Sequence, residues 1–267
     1  MPIVLAIAGF DPSSGAGVTA DLKVFAAHGL FGTSCITALT VQATEGVWSS
    51  TAVSPEIVGA TLRCLQKDLP GAGIKIGMLA TAATVKVVAE FLEALRADGE
   101  RVPVVLDPVM QSSSGRELLD AEGVMLLRRR LLPLVDWVTP NLDEASVLLG
   151  REVRRHGDMV DAARAIQAMG SELNVVVTGG HLGRPDDLVL SAAGEMVVMQ
   201  GEKIESRSTH GTGCAFSSAL LSRIVLGDSR RDAALWAKQY VTEAIRTATP
   251  MGKGNGPVNH LWPLGED

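Results

Sequence analysis

The sequence predicts an α/β fold with a mostly parallel central sheet and helices on both of its faces. Short apolar runs, such as those at 3–8 and 102–106, are typical of strands that are buried on both faces. Segments with apolar residues at helical spacing separate these runs, and such alternation builds parallel sheets through right-handed crossovers. No proline-rich linker, low-complexity stretch or internal repeat divides the chain, so we expect a single domain over residues 1–267.

The strands of the first half are predicted from apolar runs that end in turn-forming residues. The run 46–53 differs because it is short and alternates with polar residues, which is typical of a hairpin or an edge strand. The predicted strands are residues 3–8, 33–41, 46–53, 74–78 and 102–106.

Local start signals predict the helices of the first half. After the glycine- and serine-rich loop 9–17, a helix extends to Gly29. Ser54 followed by Pro55 predicts a capped helix with proline at its first position. Thr81 caps a third helix, which has one apolar face. The residues of that face are Val85, Val88, Ala89, Leu92 and Leu95.

The second half continues the alternation until residue 187, where helical spacing stops and two or three antiparallel strands are predicted before residue 205. Ser229, with Asp232 three residues later, is typical of a helix cap. The predicted strands before that point are 135–138 and 174–178. Five helices are predicted in this half. The first covers 117–131, the second follows Thr139-Pro140-Asn141 and the third begins at Asp158. The fourth extends from the Gly211 loop to Leu226, and the fifth begins at Ser229.

Composition excludes several classes of protein. The formal net charge of −6 and the lack of a basic patch argue against nucleic acid as a partner. The uncharged stretch between Lys23 and Glu45 contains glycine, serine and threonine residues that do not fit a membrane span. Cys35, Cys64 and Cys214 lack the spacing of metal ligands, and reduced thiols are typical of the cytoplasm. We therefore expect a soluble cytoplasmic protein with a small-molecule partner.

Chemically informative residues follow most of the predicted strands at their carboxyl ends. In open parallel sheets, ligands bind beyond these ends. We therefore expect one ligand site at this edge of the sheet. The residues that fall there are Asp11, Gln42, Met78, Asp107, Asn141, Gly179 and the loop at Gly211.

The segment 206–214, with the sequence SRSTHGTGC, predicts an anion-binding turn at the start of a helix. Gly211 and Gly213 permit backbone conformations in which successive amides point at one spot. The helix start adds unpaired amides and a partial positive charge, which favour phosphate. Cys214 lies on the first turn, where we expect the pKa of its thiol to fall. The alternative is a tight turn in which Cys214 is a small buried hydrophobe.

Two carboxylates follow neighbouring predicted strands. Asp107 comes directly after the strand 102–106, and Glu144 lies on the first turn of the helix after Pro140. A carboxylate near the core is costly unless it binds something, and carboxylates near an anion cradle suggest Mg²⁺ that bridges phosphates. The alternative is that Asp107 accepts from backbone amides and that Glu144 interacts with the helix dipole. For Glu144 by itself, the residues favour that alternative.

Segments along nearly the whole chain carry a resemblance to a known family. They are AGFDPSSGAG at 8–17, ADLK at 20–23, KIGML at 75–79, LDPVM at 106–110, TPN at 139–141, GGH at 179–181, THGTGC at 209–214 and GKGNGP at 252–257. With them the chain resembles hydroxymethylpyrimidine/phosphomethylpyrimidine kinases of thiamine biosynthesis. The resemblance implies a ribokinase-like, three-layer α/β/α sandwich and a homodimer. It also implies ATP-Mg²⁺-dependent phosphorylation of 4-amino-5-hydroxymethyl-2-methylpyrimidine and then of its monophosphate.

The resemblance further implies roles for individual residues. Gln42 matches the position that hydrogen-bonds the aminopyrimidine, for which an amide offers a donor and an acceptor side by side. Cys214 matches the proposed base, a position where most relatives in the wider fold have aspartate. The other implied sets are a pyrimidine pocket of Ala16, Asp21, Met78 and Val109, magnesium–phosphate positions at Asp107, Asn141 and Glu144, an anion hole at Gly211, Thr212 and Gly213, and Thr209 at the nucleotide.

Two positions depart from the pattern of that family. Many members have asparagine where this chain has Ala43. The lack of that asparagine is expected to loosen how Gln42 is held. Many also have lysine where this chain has Thr178, so we assign no charge role to that residue. Pyridoxal kinase, which has the same fold, is the nearest alternative function. An alternative of another class is a non-catalytic pyrimidine sensor, against which Asp107 and the intact glycine loop argue.

Overall fold

The strands of the described residues form one sheet of nine. The structure, a computed structural model, describes residues 1–112, 115–180 and 182–265, so that His181 of the GGH segment lies outside the described residues. In chain order the strands are β1 (Ile3–Phe10), β2 (Phe31–Ala43), β3 (Gly46–Ala52), β4 (Ile74–Ile76), β5 (Val104–Leu106), β6 (Trp137–Val138), β7 (Asn174–Val177), β8 (Asp187–Leu190) and β9 (Met196–Met199).

The sheet is parallel at its centre and antiparallel at both edges. Its strand order is β3-β2-β1-β4-β5-β6-β7-β8-β9. The strands from β2 to β7 in this order pair in parallel, whereas β3, β8 and β9 pair antiparallel to their neighbours. The predicted mostly parallel sheet is therefore confirmed, as are the hairpin strand at 46–53 and antiparallel strands after residue 187.

Helices cover both faces of the sheet. They are α1 (Gly17–Ala27), α2 (Pro55–Asp68), α3 (Ala82–Ala97), α4 (Ala121–Leu126), α5 (Leu142–Leu149), α6 (His156–Gln167), α7 (Thr212–Val225) and α8 (Arg230–Arg246). One apolar core contains buried residues of α2, α3, α5 and α6, and the other contains those of α1, α7 and α8. Successive residues of β1 alternate between the two cores, with Leu5 in the first and Val4 and Ala6 in the second. This arrangement is the predicted three-layer sandwich.

The predicted caps begin the helices as expected. The Ser54 hydroxyl accepts from the amide of Ile57 at 3.4 Å, and the Thr81 hydroxyl accepts from the amide of Thr84 at 3.2 Å. The Ser229 hydroxyl accepts a third such bond, from the amide of Asp232 at 3.2 Å. Each cap satisfies a backbone donor that has no partner inside its helix.

The helix predicted over 117–131 is wrong in its start and its form. Glu117 forms an isolated β-bridge with Gln111, and the helix begins only after Asp120, whose carboxylate accepts from the amide of Gly123 at 2.6 Å. The last part, Leu127–Leu131, is a π-helical turn. Apolar spacing did not show these interruptions, because bridges and caps depend on particular contacts. No helix of the described residues combines the length and the apolar character that crossing a membrane requires.

Candidate active site

Most of the predicted site residues lie at the carboxyl edge of the parallel strands. Asp11 follows β1, Gln42 lies near the end of β2, and Met78 follows β4. Asp107 follows β5, and Asn141 lies between β6 and α5. Because these strands are parallel and adjacent, the loops that follow them form one continuous rim.

Asp11 organises the loop between β1 and α1. Its carboxylate accepts from the amides of Ser13 at 2.8 Å, Gly15 at 3.2 Å and Ala16 at 2.9 Å. Burial opposes its negative charge, but hydrogen bonds from His210 and Ser13 hold its pKa below the usual value. The ionised carboxylate therefore fixes the backbone that presents Ala16 to the rim.

Two side chains hold the amide of Gln42. The Thr40 hydroxyl and His210 Nε2 lie 3.2 Å and 3.1 Å from the two terminal atoms of the Gln42 amide. His210 Nε2 donates to Asp11 Oδ2 at 2.8 Å, so the Gln42 atom that pairs with His210 is the amide oxygen, and the NH2 group faces Thr40. The histidine thereby connects Gln42 to the Asp11 loop. These contacts hold Gln42 without a polar side chain at Ala43.

Gly211 and Gly213, the two glycines of the predicted anion-binding turn, differ in backbone conformation. Gly211 has a φ of +87°, the left-handed region, and a Cβ added to it would collide with the carbonyl oxygen of Gly15. Gly213 has no positive φ, and a Cβ added to it would lie 3.7 Å from Asp107 Oδ2, an ordinary contact. The positive-φ conformation that glycine permits is therefore used at Gly211 and not at Gly213.

Helix α7 begins where the sequence predicts an anion site. Gly211 is its N-cap, and the amide of Ala215 donates the first intrahelical bond to Gly211 O at 2.8 Å. The amides of Thr212 and Gly213 therefore lie before the hydrogen-bonded turns, at the positive end of the helix dipole. Thr209 is exposed just before this turn, and Gly213 is exposed on it. The arrangement suits a phosphate group.

Cys214 lies in the first turn of α7, but its thiol is not acidic. Burial raises its pKa to about 12, and this effect outweighs the opposing charge of Lys75. Asp21 and Asp107 raise the pKa further through their negative charges. The predicted fall in the thiol pKa is therefore wrong for the protein without substrates, because burial and two carboxylates exceed the effect of the helix dipole.

Asp107 and Glu144 form a buried pair of carboxylates. Their exposed fractions are 4% and 8%, and burial raises the pKa of each. The charge of Asp107 raises the pKa of Glu144 further. Glu144 also forms a capping box with Asn141, because each side chain accepts from the backbone amide of the other at 2.9 Å. Glu144 thus caps the helix, as the alternative expected, and its carboxylate still interacts with the charge of Asp107.

This pair fits a hard divalent cation such as Mg²⁺. Two buried carboxylates repel one another when both are ionised, and a cation between them would remove that repulsion. In the described residues, no group of three or more His, Cys, Asp and Glu side chains could hold a metal ion. The protein would therefore supply Asp107 and Glu144, and water and phosphate oxygens would complete the shell, as Mg²⁺ prefers.

The predicted pyrimidine-pocket residues differ in their accessibility. Ala16 and Val109 are half-buried, and Met78 is 8% exposed. Asp21 has no exposed surface, because its carboxylate pairs with Lys75 and accepts from the Ser218 hydroxyl. The prediction that Asp21 lines the pocket is therefore not met in this structure.

Sequence reasoning missed two groups in the site. Lys75 and His210 stand inside recognised segments, yet neither was given a role. A lysine in the apolar run Ile74–Ile76 is the signal that could have singled out Lys75. No local pattern singles out His210, since its partners Asp11 and Gln42 are distant in sequence.

Comparison with known proteins decides the family. The family model described as phosphomethylpyrimidine kinase matches residues 11–259. This chain belongs to the phosphomethylpyrimidine kinase family. A hydroxymethylpyrimidine/phosphomethylpyrimidine kinase of Haemophilus influenzae is 40% identical over 262 residues, which are 96% of each chain.

Two further comparisons place this kinase among its relatives. A thiamine biosynthesis bifunctional protein of Geobacter sulfurreducens is 41% identical over 97% of this chain, and the chain spans 52% of that relative's length. An ADP complex of Bacillus subtilis pyridoxal kinase superposes with a TM-score of 0.87 at 31% identity, over 99% of this chain and 100% of that one. The predicted ribokinase-like sandwich is therefore confirmed.

Proposed function

We propose that this kinase transfers the γ-phosphoryl group of ATP to 4-amino-5-hydroxymethyl-2-methylpyrimidine and then to its monophosphate, in thiamine biosynthesis. Its place in the phosphomethylpyrimidine kinase family carries this proposal. The contact of Asp107 with the first turn of α7 supports it, because one carboxylate meets the glycine loop and Cys214 there. Phosphoryl transfer depends mostly on positioning and on charge stabilisation, which such a loop supplies.

Each part of the rim has a proposed task. Gln42 pairs with the exocyclic amine and the adjacent ring nitrogen of the pyrimidine, beside Ala16, Met78 and Val109. The amides at Gly211, Thr212 and Gly213 hold the transferred phosphoryl group, with Thr209 and Asn141 at the nucleotide. Asp107 and Glu144 would hold Mg²⁺, which when bound neutralises phosphate charge. The thiolate form of Cys214 accepts the proton of the substrate hydroxyl.

The two transfers allow a sharp test of Cys214. The first nucleophile is a primary alcohol, which must lose a proton, whereas the second is a phosphate oxygen that is already anionic. A positioned base typically contributes about 10²–10⁴-fold to proton transfer. Cys214→Ala should therefore slow phosphorylation of the alcohol far more than phosphorylation of the monophosphate. The measurement is the pair of rate constants with each substrate, and Cys64→Ala, at an exposed cysteine on α2, is the control.

Equal slowing of both transfers by Cys214→Ala would remove the base role and leave a packing or phosphate-positioning role. No turnover of either pyrimidine by the wild-type protein would overturn the proposed function itself. The two failures are distinguishable, because the second one does not depend on a variant.

The metal proposal has its own test. Activity should vanish with EDTA and return with Mg²⁺, and Asp107→Asn should move the Mg²⁺ dependence to higher concentration. Mg²⁺ should also raise the thermal midpoint of the wild-type protein more than that of Asp107→Asn, since binding to the folded state stabilises it. An unchanged Mg²⁺ dependence in the variant would leave Asp107 as a structural acceptor.

Pyridoxal kinase is the second candidate function. The superposition on Bacillus subtilis pyridoxal kinase favours it. ATP turnover measured with the pyrimidine and with pyridoxal separates the two, and a higher kcat/KM for pyridoxal would reverse the proposal. A pyrimidine sensor would bind the pyrimidine without turnover.

We also propose that the chain is a single domain, that it forms a homodimer and that it acts in the cytoplasm. The family resemblance supports the dimer, and the free cysteines fit a reducing compartment. Light scattering would give the mass of the assembly in solution, and a monomer mass would contradict the dimer.

A further inference from the structure

A fully buried ion pair lies beneath the rim and has no place in the activity described so far. Lys75, the middle residue of β4, and Asp21, on α1, both have side chains with 0% exposure. The Lys75 ammonium lies 2.9 Å from Asp21 Oδ1 and 3.0 Å from Asp21 Oδ2. The Ser218 hydroxyl, one turn after Cys214 on α7, donates to Asp21 Oδ1 at 2.8 Å.

The pair is unusual in its surroundings. Among the residues that the structure describes, Lys75 is the only buried lysine or arginine. Its strand neighbours Ile74 and Ile76 are apolar and buried, and a buried ion pair is often no more stable than apolar residues of similar volume. Packing therefore gives no reason for a charge at this position, which points to a role in the site above it.

The ammonium of Lys75 lies beside the residue that follows β4. A Cβ added to Gly77, at the end of the β4 segment, would lie 2.9 Å from the Lys75 nitrogen. Ser217, the residue before Ser218, donates from its hydroxyl to Asp107 Oδ2 at 3.2 Å, so the same turn of α7 contacts both Asp21 and the candidate site. Lys75 also lowers the pKa of the Cys214 thiol more than Asp21 raises it, although burial is the largest influence on that pKa.

We propose that Lys75 is the internal counter-charge of the phosphoryl-transfer site and that Asp21 positions it. This inference rests on the proposed function. Asp21 acts from below the pocket rather than as a pyrimidine ligand, because it fixes the ammonium with both oxygens and ties α1 to α7 through Ser218. Lys75 offsets negative charge where Asp107 and Cys214 meet the transferred phosphoryl group. A buried charge acts strongly because little water screens it.

Because the pair acts on the transferred group and does not contact the pyrimidine, its loss should lower kcat and leave pyrimidine binding unchanged. Lys75→Gln keeps a hydrogen-bond donor toward Asp21 but loses the charge. The double variant Lys75→Met with Asp21→Asn removes both charges and keeps an acceptor for Ser218, so no carboxylate is left buried and unpaired. Both should lower kcat by at least about tenfold, equivalent to about 1.4 kcal/mol. The Kd for the unphosphorylated pyrimidine, measured by calorimetry, should stay at its wild-type value.

Three results would overturn this inference. A wild-type kcat in Lys75→Gln would show that the charge is not used, even if the double variant does not fold. A wild-type kcat in a folded double variant would make the pair structural. A weakened pyrimidine Kd in Asp21→Asn would return Asp21 to the pocket as a ligand. In each case the wild-type protein still turns over the pyrimidine, so the proposed function would stand.

Discussion

At the scale of single residues, Gly211 and Gly213 of the anion-binding turn should differ in their effects on stability and on activity. Gly211→Ala should destabilise the protein, because its left-handed backbone costs a non-glycine residue about 1–2 kcal/mol and its Cβ would meet Gly15 O. The Gly213→Ala variant should unfold at the same denaturant concentration as the wild type, but it should slow both phosphoryl transfers. Denaturant unfolding and the two rate constants give the comparison. Equal stability of the two variants would contradict the structural difference.

Gln42 allows a second prediction at this scale. Gln42→Leu leaves the polar edge of the pyrimidine unpaired, which costs about 1–3 kcal/mol, or about 5- to 150-fold in KM. The KM for ATP should change little, because Gln42 pairs with the pyrimidine in the proposal, whereas Thr209 and Asn141 hold the nucleotide. Steady-state kinetics with each substrate varied in turn is the measurement. Equal loss on both substrates would contradict the assigned pocket.

The raised pKa of the Cys214 thiol gives a pH dependence. Since that pKa lies near 12, the thiol is protonated at neutral pH, and the thiolate fraction grows as pH rises. Phosphorylation of the alcohol should therefore accelerate by about tenfold per pH unit between about pH 7 and 9, if the thiolate is the base. Phosphorylation of the monophosphate should be nearly flat over the same range, and so should the residual alcohol reaction of Cys214→Ala. Parallel profiles for both substrates would contradict a thiolate base.

At the scale of elements, the start of α5 combines a helix cap with the candidate metal site. Asn141→Ala should lower the free energy of unfolding by about 0.5–2 kcal/mol, because the amide of Glu144 loses its acceptor. Asn141→Asp keeps that acceptor and should keep the stability. Its added charge lies beside Asp107 and Glu144, so it should raise the KM for ATP. Loss of stability in Asn141→Asp would contradict the assignment of the cap to the Asn141 side-chain oxygen.

The elements themselves were predicted well where a local signal fixes them. Ser54, Thr81 and Ser229 each cap a helix at the predicted position, because a cap needs only residues within one turn. The start of α4 was missed because the bridges Gln111–Glu117 and Ala80–Leu119 hold the preceding chain. Such bridges join segments whose pairing no spacing rule describes.

At the scale of the whole molecule, the C-terminal segment fastens two loops of the rim. His260 Nε2 lies 2.9 Å from Gly15 O on the Asp11 loop. The amide of His210 donates to Gly256 O at 3.0 Å, which ties the segment to the glycine loop as well. Residues from the two ends of the chain therefore set the shape of one site.

His260 makes the contact between the C-terminal segment and the Asp11 loop sensitive to acid. Gly15 O only accepts, so Nε2 carries the proton, and Nδ1 is buried without a partner in the described residues. Burial lowers the pKa of His260 from 6.5 to about 4, so the unfolded chain binds a proton in this window that the folded chain does not. Stability should therefore fall as pH decreases from 6.5 toward 4, by about 3 kcal/mol from this residue.

The measurement is the free energy of unfolding from pH 7.5 to 4.5 for the wild type and for His260→Gln, which keeps a donor for Gly15 O. The variant should lose less stability over this range, and the difference between the two curves isolates His260 from other titrating groups. Parallel curves would contradict a neutral, buried His260.

The sequence by itself determined the layers, most of the elements and the edge of the sheet where most of the candidate site residues lie. These follow from short-range patterns, since apolar runs, helical spacing and caps act within a few residues. The sequence also singled out Gln42, Asp107 and Cys214 as candidate site residues, because the first two follow predicted strands and Cys214 lies at a predicted helix start.

Only the tertiary structure decided what surrounds those residues. It placed Asp21 under the rim with Lys75, gave Gln42 the contact with His210, and reversed the expected pKa shift of Cys214. The physical reason is common to all three. Burial and the charges of partners set these properties, and partners such as Lys75 with Asp21, or His210 with Gln42, are separated by 54 and 168 positions in the chain, beyond the range of any local pattern.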